Sequence, residues 1–157
     1  MTQQQPNDYQ DKEFKLERYK YILGQIKSLN ENIYKYLTLF QTLTTAIIGA
    51  GVSVFLSWRN LNITADVARL AIRCLLGLLI ILGIFSITSI AIGVVSWFDY
   101  RKEEVNLLNQ VVYLGFRKLP KLSNWWRWYE TYIIALILIV IITVYIVVET
   151  NIIPLIN

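Results

Sequence analysis

The chain has 157 residues, a net charge of +4 and a mean hydropathy of +0.46, and 55% of its residues are hydrophobic. So apolar a chain does not suit a soluble domain, and so small a charge does not call for a nucleic-acid partner. With one cysteine, Cys74, and no histidine, an internal disulfide, a Cys-rich metal site and the usual histidine general base, zinc ligand or haem ligand are excluded.

Residues 1–10 contain Gln, Asn and Pro, offer little apolar surface, and are expected to form a disordered N-terminus. Residues 11–38 carry a heptad pattern. Leu16, Tyr19, Leu23, Ile26, Asn30, Ile33, Leu37 and Phe40 recur at alternating spacings of three and four, the a/d seam of a coiled coil. Such a seam is buried either against copies of itself, as an oligomer seam, or against the protein's own second loop. Asn30 falls at an a position, where a polar residue fixes register and subunit number. Gly24 costs a helix only ~1 kcal/mol against Ala, so one helix from about Asp11 to Ser57 is expected.

Residues 39–58, "LFQTLTTAIIGAGVSVFLSW", are the first of three runs that reach the ~20 residues needed to cross ~30 Å of hydrocarbon. Thr38, Thr42, Thr45 and Gly49 share one face of this helix. Small and hydroxylated residues there allow close backbone approach to another helix, or contact with water in a pore. Residues 59–73 form an outer loop with Arg59, Arg69 and Arg73. Arg73 is placed to snorkel to headgroups, and Asn62-Ile63-Thr64 matches a glycosylation sequon. Residues 74–98 are the second span, with a matching face of Ser86, Ser89, Gly93 and Ser96. Residues 99–130 form a cytoplasmic helical extension and return loop. The second helix should continue to about Leu114, antiparallel to the N-terminal helix, until Gly115 and Pro120 stop it. Residues 131–149 are the third span. Aliphatic except chiefly for Thr143, it suits lipid contact. Residues 150–157 form an outer tail.

Trp58, Trp97, Trp125, Trp126, Trp128 and Tyr129 fall at span ends. They read as membrane-interface anchors, because ring and polar N–H or O–H are both accommodated there. Base stacking on the Trp cluster with Arg127 is the sharper, disfavoured alternative. Lys12, Lys15, Arg18, Lys20, Lys27 and Lys35 precede the first span. Arg101, Lys102, Arg117, Lys118, Lys121 and Arg127 lie between the second and third. The positive-inside rule therefore places the N-terminus in the cytoplasm and the C-terminus outside, in a multi-pass protein of the cell (inner) membrane. No phosphate loop, nucleophile–base pair or HExxH motif is present, and adjacent Glu103 and Glu104 read as solvated charges. No enzymatic activity, catalytic residue, metal or cofactor is expected.

The stretch "FKLERYKYILGQIKSLNENIYKYLTLFQT", opening into the first span, resembles small bacterial proteins that assemble as membrane octamers. Some of these are encoded beside antiviral systems and act as pores. The resemblance covers the first third of the chain and implies homo-oligomerisation. The ribonuclease-like Arg-x-His motif discussed for some such proteins cannot exist in a chain without histidine. The sequence thus reads as an all-α integral membrane protein with three transmembrane helices and a cytoplasmic helical layer. The expected function is a homo-oligomeric membrane pore or channel-like protein assembled through the N-terminal helix and first span. The alternative is a non-conducting membrane scaffold or accessory subunit of another membrane complex. Its expected partners are the lipid bilayer, its own copies and, on the alternative reading, another membrane or cytoplasmic protein, with no nucleic acid.

Overall fold

The computed structural model describes residues 5–61, 63–113 and 115–156, with side chains described from residue 10 onward except those of Leu122 and Asn124. Every regular element among them is helical. α1 spans Gln5–Leu61, α2 Ala65–Val111 and α3 Tyr129–Val147; a π-turn over Val148–Ile152 leads into the short α4, Ile153–Leu155. A 3₁₀ helix, Leu122–Arg127, precedes α3. Three stretches, Gln10–Leu61, Ala65–Val111 and Tyr129–Leu155, are long and apolar enough to cross a membrane.

The element boundaries differ from the expected ones at four places. α1 already begins at Gln5, inside the segment 1–10 expected to be disordered; residues 1–4 lie outside the described residues. Pro6 suits a helix start, because the N–H it lacks has no intrahelical partner in the first turn. The loop expected over 59–73 contracts to residues 62–64. The charges there belong to helix ends instead: Asp66 occupies the first turn of α2, favoured by the helix dipole, and accepts from Arg69 at 3.0 Å. The Ala68 N–H donates to the Thr64 carbonyl at 3.1 Å to open the helix. Asn62 of the sequon lies outside the described residues. At the other end of α2 the helix stops at Val111, and Gly115 adopts φ +88°, which glycine accepts without a Cβ clash. Its N–H donates to Asn109 Oδ1 at 3.1 Å. Leu114, the expected end, lies outside the described residues.

The expected outer tail also continues as helix, as far as Leu155; Asn157 lies outside the described residues. Pro154 supplies the reason for the π-turn before it. Its ring clashes with a carbonyl four residues back and it has no N–H to give. The turn widens, and the Ile153 N–H donates to the Val148 carbonyl, five residues back.

The chain divides into two compact units. One holds residues up to Ile33 together with Ala91–Trp126; the other holds Tyr34–Ile90 and Arg127 onward. In the first, α1 and α2 run antiparallel. Arg18 meets Glu103 at 2.6 Å, and Tyr21 meets the Tyr100 ring edge-on, with centroids 6.5 Å apart. Ile22, Ile26, Ile33, Phe98 and Val105 are buried there. The second unit gathers the apolar parts of α1, α2 and α3. Its core is Ala68, Ile72, Leu76, Val148 and Ile156, packed by Val54, Phe55 and Trp58.

Candidate functional site

The heptad seam of α1 divides in the folded chain. The d positions Ile26, Ile33 and Phe40 are buried and Tyr19 half-buried, whereas the a positions Leu16 and Leu23 are exposed and Asn30 and Leu37 half-buried. Ile22, one residue off the seam, is fully buried. The d row serves internal packing, and the first two a residues are left outward.

The face of small residues in the first apolar run points outward too. Thr38, Thr42, Thr45 and Gly49 are all exposed, as are Gln41 and Ser53. At about 100° per residue this strip lies half a turn from the stripe of Phe40 and Thr44, which is buried. Three of its hydroxyls are satisfied within the helix. Thr38 donates to the Tyr34 carbonyl, Thr45 to that of Gln41 and Ser53 to that of Gly49, each at 2.9 Å.

The corresponding face of α2 behaves differently. Ser86 is fully buried and donates to the Leu82 carbonyl at 2.9 Å. Ser89, Gly93 and Ser96 are half-buried, and a Cβ on Gly93 would meet nothing within 4 Å. A tight helix contact lies at Gly83, where a Cβ would fall on the Ile141 side chain of α3. Ile137 is completely buried as well, so the third span, expected to suit lipid contact, also has a side that packs within the chain. One side of α3 packs on the chain itself; Ile139, Ile142 and Ile146 remain exposed.

Two charged arrangements escaped the sequence. Glu104, read as solvated, is fully buried. Its carboxylate accepts from Arg101, one helical turn back, and from Arg117 at 2.7 Å. The i, i+3 spacing of Arg101 and Glu104 was the available signal; Arg117 lies beyond the turn and had none. Arg73, expected to reach headgroups, pairs with Glu149 across α2 and the π-turn at 3.5 Å, with its side chain still 57% exposed. Among the described residues no group of His, Cys, Asp or Glu could hold a metal ion.

The aromatic anchors are placed unequally. Trp58 is half-buried against Phe55, with centroids 5.7 Å apart, and Trp97 lies under the Arg101 guanidinium at 5.2 Å. Trp125 and Trp126 are exposed and stacked at an angle with centroids 4.2 Å apart, Trp128 is half-buried, and Tyr129 stacks on Tyr34 at 6.1 Å. Comparison with known proteins finds no match to this chain, whether among family models, curated sequences or solved structures.

Proposed function

We propose that the chain is an integral protein of the cell membrane that assembles with its own copies through the outward face of α1, and that the assembly conducts. One observation carries this reading: Thr38, Thr42, Thr45, Gly49 and Ser53 lie exposed on the side of α1 opposite its internal packing. Hydrocarbon offers such groups no hydrogen-bond partner, and small residues let backbones approach closely. A neighbouring copy, or a water-filled lumen between copies, removes them from lipid. Leu16 and Leu23, in the charged part of α1, are exposed as well and offer a neighbouring copy an apolar contact of their own. No enzymatic role is proposed.

The second reading, a non-conducting scaffold, is favoured by a different observation. The hydroxyls of Thr38, Thr45 and Ser53 are already bonded to their own helix, so the face can pack dry. Cross-linking with native mass measurement, followed by ion flux in liposomes, separates the two. A defined ring whose flux is blocked in Thr42→Trp supports the pore; a ring that conducts under no voltage or tension leaves the scaffold; a monomer sinks self-assembly. The seam gives an independent check. Leu23→Ala should weaken assembly with little loss of fold stability, whereas Ile33→Ala should cost the monomer about 2–5 kcal/mol, as truncation of a buried aliphatic does. Equal effects on both properties would mean that the two rows are not divided as described.

A further inference from the structure

The apolar unit contains a groove of about 410 Å³, within the volume range of ligand pockets. Its walls come from three sources: Gly51 and Phe55 of α1, Ile72 and Leu76 of α2, and Val144 of α3 with Val148 of the π-turn. Thr143 alone brings a side-chain hydroxyl to the lining. All of these residues lie within the helices long and apolar enough to cross a membrane.

Two features give the groove a chemical character beyond being apolar. Gly51 leaves room: a Cβ there would meet nothing within 4 Å. Arg73 and Glu149, which pair at 3.5 Å, each follow a lining residue in the chain, Ile72 and Val148, so the backbone of the pair lies one residue from the groove wall. The Arg73 guanidinium is more than half exposed and satisfies only part of its fork on one carboxylate oxygen. A guanidinium with free donors is the side chain best matched to a phosphate.

We propose that this groove is a lipid site: one acyl chain of a phospholipid occupies the apolar channel and its phosphate is held by Arg73. The proposal rests on the membrane reading but not on conduction or self-assembly. In a bilayer the surrounding hydrocarbon fills an open apolar channel of this size. What distinguishes a site from ordinary annular lipid is a cation, Arg73, one residue along the chain from its wall. The π-turn contributes directly, because it carries Val148 into the wall and Glu149 to Arg73; such turns recur at functional positions in helices.

The test uses the full-length protein purified from membranes and washed extensively in detergent. Native mass spectrometry should then find about one phospholipid retained per chain. Gly51→Phe fills the channel and should abolish retention, while Gly51→Ala, which leaves most of it open, should keep it. Arg73→Gln should lower retention about tenfold, the loss of one charge-assisted contact. Circular dichroism of each variant reports folding. If Gly51→Phe does not fold, a chain with Trp58 as sole tryptophan, the others changed to Phe, decides instead. Phospholipid brominated on the acyl chain should quench it in proportion to the retained lipid, because Trp58 packs on Phe55 in the channel wall. Retention unchanged by Gly51→Phe, or the absence of any retained lipid, would overturn the site. So would a change of oligomer size in Gly51→Phe with lipid undisturbed, which would mean that a second copy covers the groove. Failure of flux or assembly in the experiments above would leave these outcomes untouched.

Discussion

Glu103 and Glu104 are neighbours in sequence with opposite fates. Glu103 makes a surface pair with Arg18 in which both side chains stay about two-fifths exposed; such a pair adds well under about 1 kcal/mol. Glu104 is fully buried between Arg101 and Arg117. Removing one partner of a buried pair leaves the other charge uncompensated, so the two sites should respond very differently. Glu104→Gln is expected to cost about 2–4 kcal/mol, read as a lower unfolding midpoint in detergent. It should also open the return loop to trypsin at Arg117 and Lys118. Arg117→Gln should cost about 1 kcal/mol, because that side chain is 45% exposed and screened. Equal costs for Glu103→Gln and Glu104→Gln would contradict the burial. The sequence could show that the two carboxylates point apart on a helix, but not which one turned inward. That choice depends on Arg117, thirteen residues on and behind a turn whose glycine has positive φ.

What the periodicity revealed best was the long helices, because a 3.6-residue pattern and the absence of proline are local properties. α1 and α2 were legible for this reason, and so was the stop near Gly115. What it revealed poorly was where those helices touch. Of the small residues of α2, Ser86 is fully buried, a Cβ on Gly93 would meet nothing, and Gly83, outside the stripe, sits tight against Ile141. A small residue permits approach, but which one is used depends on the side chain across from it. The π-turn likewise follows from Pro154, visible in the sequence, although its geometry depends on the chain continuing as helix beyond it. The Gly83 contact makes a graded prediction. Gly83→Ala should be mild, about 1 kcal/mol, because the atom displaced is the flexible end of Ile141. Gly83→Leu should cost about 3 kcal/mol or more by forcing α2 and α3 apart. Ile141→Val, which deletes that end, should recover most of the Gly83→Ala loss, so that a double-mutant cycle in detergent unfolding shows coupling. Additive costs would mean that the two side chains do not meet.

Three helices of membrane-crossing length and composition place the two ends of the chain on opposite sides of the bilayer if each crosses once. Which end is inside is decided by cations, since Lys and Arg near span ends resist translocation. Before the first apolar run stand Lys12, Lys15, Arg18, Lys20, Lys27 and Lys35, and between the second and third stand Arg101, Lys102, Arg117, Lys118, Lys121 and Arg127. The opposing end has only Arg59, Arg69 and Arg73, and nothing basic follows α3. The fold concentrates this asymmetry. The contraction of the first connection to residues 62–64 puts all three of the minority arginines on helix, and Arg69 and Arg73 are paired with Asp66 and Glu149. The return loop instead keeps Lys118 and Lys121 exposed, next to exposed Trp125 and Trp126, an arrangement suited to a headgroup region carrying anionic lipid. An inside N-terminus and an outside C-terminus are therefore expected. In a Cys74→Ser background, a membrane-impermeant maleimide applied to whole cells should label Asn151→Cys, which is exposed on the π-turn. It should spare Ser123→Cys, exposed in the return loop, until the cells are permeabilised. The reverse pattern would invert the topology, and labelling of both or of neither in intact cells would mean that α3 does not cross.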